Sequence, residues 1–133
     1  MSQTIQQARA KYALEKVNKL TSLTKEQQKK FVSYSSGLPA MIHMNGLGQT
    51  MAFTKSKSSG NKSDEQVSHH ALYGIISQWL CSKPQIYEPH KDILEGITQQ
   101  NMQDYQLAQI ETLLLMSWIK KFAKAFLANE DTE

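Results

Sequence analysis

Cysteine is all but missing from this sequence. Cys81 is its one thiol, so no internal disulfide can form, and the fold has to rest on a packed core. The longest apolar run, Leu113–Met116, falls far short of the ~20 residues that a membrane-crossing helix needs. Met1 to Gln7 is polar and no apolar segment follows it, so no secretory signal is expected. Walker loops, nucleophile elbows and dinucleotide fingerprints are also missing. Gly46-Leu47-Gly48 is too short to cradle a phosphate and lies inside a helical pattern. The carboxylates are scattered, and their spacing gives no reason to pair two as acid and base. These absences point to a soluble, cytoplasmic protein with no catalytic apparatus, no cofactor and no small-molecule substrate.

Arginine is nearly missing too. Arg9 stands against fourteen lysines, which argues against base-edge reading by bidentate guanidinium forks. Aromatic residues do not alternate with the basic ones as they do in a base-stacking platform. What is present is a divided charge. Residues 1–62 hold ten bases and two acids, a net of +8, and residues 63–133 hold five bases and ten acids, a net of −5. Such asymmetry suggests a polyanionic partner, or copies stacking basic end to acidic end; a solvated lysine-rich surface would look the same. Nucleic-acid binding by such lysines would track the phosphate backbone and depend on salt.

Helical periodicity dominates the chain, and no strand, repeat or second domain is expected. A first helix, about Gln3 to Leu20, carries an apolar stripe of Ala10, Ala13, Leu14, Val17 and Leu20. Thr24 to Gln27 reads as a capping box that opens a second helix, ending near Ser36 with Gly37 as its stop. Pro39 suits the first turn of a third helix, with Ala40, Met44, Leu47 and Met51 as its buried seam. Gly46 and Gly48 weaken that helix, which implies a close helix approach or a bend. Lys55 to Ser63 reads as a polar loop.

Ser63 to Gln66 is another capping box, opening a helix with Val67, Ala71, Leu72, Ile75, Ile76, Trp79 and Leu80 inward. That helix ends before Pro84, and Cys81 to His90 is irregular. A short helix, about Lys91 to Gln99, precedes the last, about Met102 to Ala128. The last helix pairs one stripe (Tyr105, Ala108, Thr112, Leu115, Ile119, Phe122, Phe126) with a second (Leu107, Ile110, Leu114, Trp118) that widens its apolar face. Trp79, Trp118, Phe122 and Phe126 are assigned to the core, and the acidic tail from Asn129 to Glu133 is expected to fray. The whole is an all-α bundle of five to six helices forming one domain over residues 1–133.

No metal site is expected. His69 and His70 are adjacent, so on a helix they diverge by about 100°, whereas zinc ligands on a helix are spaced i, i+4. Cys81 is read as a small core residue near a helix end. His43 and Asn45 lie beside Gly46, but no serine or cysteine stands in a nucleophile motif.

The segment from Leu38 to Lys57, LPAMIHMNGLGQTMAFTKSK, closely resembles the signature of the small, fifth subunit of the type III-B CRISPR (Cmr) effector complex. That family pattern is a proline, a few apolar residues, Asn-Gly-Leu-Gly-Gln, then Ala-Phe and a lysine. Arg9 to Val17 looks like the family's first helix, and Tyr105 to Ala123 looks like its last. The similarity covers most of the chain, although Ser58–Ser63 and Cys81–His90 match nothing assignable.

The resemblance implies a helical bundle that stacks in copies beside the guide-RNA filament and lines the path of target RNA in antiviral defence. Target cleavage would belong to other subunits. The expected partners are therefore other Cmr subunits, further copies of this chain, guide RNA and target RNA, with no membrane. Arg9, Lys16, Lys55 and Lys57 are the RNA-binding candidates, and Arg9 and Lys16 lie two turns apart on about one face. Pro39, Asn45, Gly46, Gly48 and Gln49 form a motif with two readings. Asn45 and Gln49 would meet RNA or a neighbouring subunit, or the glycines would admit a close helix while the two amides tie down backbone. The rivals are a free-standing, non-specific single-stranded nucleic-acid-binding protein, a helical adaptor with no RNA role and, last, a nuclease without a recognisable motif.

Overall fold

Three of the helices in a computed structural model of the chain open on the same device. The model describes residues 4–59, 63–82, 86–87, 92–99 and 101–129. Helices α1 (Ile5–Lys19), α2 (Lys25–Lys57) and α3 (Asp64–Leu80) each begin with a capping box. The Thr24 hydroxyl accepts from the Gln27 N–H at 3.1 Å, and the Gln27 side chain accepts from the Thr24 N–H at 3.1 Å. Ser63 and Gln66 repeat this at α3, and Thr4 and Gln7 do so at α1. Each cap is worth about 1 kcal/mol. A 3₁₀ turn, Leu20–Ser22, links α1 to α2. The short α4 (Ile93–Gln99) and the long α5 (Met102–Phe126), capped by Asn101, complete the bundle. No strand occurs among the described residues.

The second and third expected helices are one element. α2 runs through Gly37 and Pro39 without a stop. Phe31, Val32, Ser35, Leu38 and Ile42 are all buried, and their i, i+3, i+4 spacing carries one inward stripe across both residues. Burial of that stripe outweighs the glycine's entropy and the hydrogen bond lost at proline. The break comes at Gly46 instead, whose φ of 86° and ψ of 160° are non-helical. It divides α2 into two limbs and shifts the phase of the inward face. Leu47 and Met51 are buried as expected, but Ala40 and Met44 are exposed, Met44 by 82%; Leu38 and Ile42 hold the places assigned to them. The Lys55–Ser63 loop is also shorter than expected, because α2 continues to Lys57.

Inward residues of all five helices, among them Ala13, Phe31, Met51, Leu72, Ile93 and Leu115, form one core. α3 packs chiefly on α2, and α5 packs on α1 and on α2. Cys81 is a buried free thiol closing α3. Beyond it Tyr87 is buried, and its N–H donates to the Leu80 carbonyl. The first stripe of α5 is inward at Ala108, Thr112, Leu115 and Ile119, but Phe126 is exposed. Most of the second stripe stays outside the core: Leu107, Ile110 and Leu114 are 49%, 56% and 43% exposed, whereas the half-buried Trp118 packs against it. α1 borders this second stripe at Leu114 and Trp118, through Gln6, Arg9 and Ala10. Residues 130–133 of the acidic tail lie outside the described residues.

Candidate nucleic-acid interface

The four basic candidates fall into two pairs, held in different ways. Arg9 on α1 meets Glu111 on α5 in a two-pronged ion pair, with Nη2 donating to Oε1 at 2.9 Å and Nε donating to Oε2. The Trp79 indole N–H also donates to Glu111, at 3.0 Å. The Arg9 and Glu111 side chains are only 12% and 15% exposed, so the guanidinium is largely desolvated and its charge is met within the bundle. Lys16, two turns on, donates to the Gln78 side chain at 2.7 Å and lies over the Tyr12 ring. Burial, then Lys19, lowers its pKa. Tyr12 donates its hydroxyl to the Ile75 carbonyl. Arg9, Tyr12 and Lys16 thus clamp α1 against α3 and α5.

Lys55 and Lys57 occupy the last turn of α2. Two residues apart, they diverge by about 200° around the helix. Lys55 lies over the Tyr73 ring at 5.1 Å, and Lys57 lies over the Phe53 ring at 5.6 Å. Both are exposed, so their ammonium groups remain hydrated and open to phosphate, with a cation–π hold worth about 0.5–1 kcal/mol.

The glycine motif is built into the packing. Its bend at Gly46 leaves the first N–H groups of the second limb without helical partners. α5 supplies them: Leu47 N–H donates to the Gln109 side chain at 2.9 Å, and Gly48 N–H donates to the Tyr105 hydroxyl at 3.0 Å. A methyl group added at Gly46 would lie 3.0 Å from that hydroxyl, and one at Gly48 would lie 3.4 Å from Ile97. Pro39 sits mid-limb, half-buried. Asn45 and Gln49 turn outward and are exposed, lining a shallow cleft with Met41, Thr50 and Phe53.

Gly46 and Gly48 admit α5, as one of the two readings of the motif had it. Asn45 and Gln49 are exposed and, among the described residues, make no hydrogen bond that ties down this backbone; the Tyr105 and Gln109 side chains do that. Glu111, Tyr105 and Gln109 were missed as organising residues. Nothing in the sequence set them apart from the other polar residues of that helix, such as Gln103, Asp104 and Gln106. Among the described residues, no three His, Cys, Asp or Glu side chains converge as a metal-ligand group, and no helix is long and apolar enough to cross a membrane.

Five helices around one core, an internal bend capped by the C-terminal helix and a lysine-tipped α2 define an all-α bundle protein with basic, outward helix ends. The family model for the CRISPR-associated protein Cas_Cmr5 matches residues 5–126, and the chain belongs to that family. The fold is also similar to the X-ray crystal structure of a CRISPR-associated Cmr5 family protein from Thermus thermophilus. That match has a TM-score of 0.74 at 24% identity, over 94% of this chain and 99% of the other. At this identity the likeness concerns the fold.

Proposed function

We propose that this protein is a non-catalytic structural subunit of a cytoplasmic type III-B CRISPR ribonucleoprotein. In this reading it stacks with copies of itself and with other subunits, and it lines the path of target RNA. Membership of the Cas_Cmr5 family over residues 5–126 carries the proposal. Two features support it. The exposed stripe Leu107, Ile110 and Leu114 is an apolar surface of the kind that marks protein contacts. Lys55 and Lys57 offer two unspent charges for sequence-independent phosphate contact. Arg9 and Lys16 act chiefly as braces, because their donors are engaged within the bundle.

The test is a mild-salt pull-down of tagged protein from its native host, with mass spectrometry and RNA sequencing of what accompanies it. CRISPR effector subunits with repeat-derived guide RNA are expected. Recovery of the bare protein would overturn the assignment, and recovery of bulk cellular RNA alone would leave the free-standing binder in its place.

A further inference from the structure

The bend at Gly46 brings the two limbs of α2 together against α3, and a pocket of ≈ 330 Å³ lies between them. Tyr34, Leu38 and Met41 come from the first limb, Phe53 from the second, and His69 and Leu72 from α3. The shallower cleft over Asn45, Gln49 and Thr50 shares Met41 and Phe53 with this pocket, so the two adjoin across those side chains. Their walls contain planar rings: Tyr34 and His69 stack at 3.8 Å, and Phe53 meets His69 edge-on at 6.3 Å.

Each half of this surface also carries a buried polar atom without a hydrogen-bond partner among the described residues. They are His69 Nδ1 in the deeper part and Thr50 Oγ1 in the shallower, on residues 7% and 1% exposed. Burial lowers the pKa of His69; Glu65 opposes that shift and Lys57 adds to it. The imidazole is therefore neutral near pH 7, and an Nε2-protonated ring offers Nδ1 as an acceptor. Two charges stand at the pocket: Lys57, over Phe53, and Glu65, which accepts from the Tyr34 hydroxyl at 3.2 Å.

We propose that this pocket receives one nucleobase, extruded from the RNA strand assigned to this surface. The inference rests on the RNA-path reading and deepens it. An aliphatic side chain or a phenyl ring would fill the apolar space but leave the His69 Nδ1 unpaired, which is costly for a buried polar atom. A nucleobase has a planar face for Met41 and Phe53. It also has a hydrogen-bonding edge for His69 and the Glu65 carboxylate, which line the same pocket. Lys57 supplies the cation for the attached phosphate. The rings that make this surface are far apart in sequence, so no interleaved aromatic pattern announces it.

The test is an NMR titration of the full chain with GMP and, separately, with ribose 5-phosphate. GMP carried to roughly 10 mM, where a millimolar interaction saturates, is expected to shift the His69 ring and the Thr50 and Phe53 amides. Ribose 5-phosphate should leave them in place. Phe53→Ala, at a half-exposed ring of the pocket wall, should weaken GMP binding about fivefold, as expected of a stacked base. Silence of the cleft toward GMP, or equal shifts with ribose 5-phosphate, would overturn the inference. So would shifts with N-acetyl-tryptophanamide but not GMP, which would make the pocket an anchor for a protein side chain. Each of these failures leaves the complex-subunit reading standing, since the pull-down tests that separately.

Discussion

Glu111 holds three donors from two other helices: two from Arg9 and the indole N–H of Trp79. Removing the carboxylate strands a desolvated guanidinium and a buried N–H together. Glu111→Ala should therefore cost about 2–3 kcal/mol, read as a lower urea midpoint. Arg9→Ala should cost a similar amount, and the double variant less than the sum, the mark of a coupled pair. His69 sets a pH dependence. Burial holds its folded pKa below the ordinary value of 6.5, so unfolding takes up a proton between the two. Its contribution to stability is fully present above 6.5 and declines as pH falls through that window. Chemical denaturation between pH 7.5 and 5 should show this decline in the native chain, and a smaller one in His69→Leu.

At the scale of elements, α2 decides the architecture. The φ and ψ of Gly46 lie in a region that only glycine occupies comfortably. Gly46→Ala should cost about 2–3 kcal/mol and shift the Tyr105 ring resonances, because the new methyl group also presses on the Tyr105 hydroxyl. Pro39 should behave in the opposite way. It sits inside a helix rather than at its first turn, where it removes a hydrogen bond to the Ser35 carbonyl. Pro39→Ala should thus raise stability by about 1 kcal/mol, measured by thermal melting. These two residues also show what the sequence revealed and what it concealed. α3 was legible because its cap and its periodicity agree with burial. α1 and α5 were legible as helices from periodicity, although Phe126 and most of the second stripe of α5 are exposed. At α2, glycine and proline carry strong local signals, and the packed stripe from Phe31 to Ile42 overrode them. The true break depended on partners 57 and 62 residues away. The lysines were legible as basic, but not which of them the fold would spend on itself.

Across the whole molecule, one apolar stripe is left largely outside the core. Leu107, Ile110 and Leu114 add little to the core, being about half exposed. Replacing Ile110 and Leu114 with glutamate should change monomer stability by no more than about 0.5 kcal/mol each. The same pair should abolish co-recovery of neighbouring subunits or copies in a pull-down. A fall in melting temperature large enough to account for that loss would instead place the stripe in the fold.

The caps on the second limb of α2 come from α5, at the far end of the chain. Gln28 likewise accepts from Ala128, across 100 residues, and Arg9 reaches 102 residues to Glu111. During synthesis, then, the first two helices leave the ribosome before the residues that finish them exist. The bend cannot settle until the last helix emerges. A nascent chain truncated before Tyr105 should carry α2 with its glycine hinge unlatched, and the closing of that hinge is the last act of its folding.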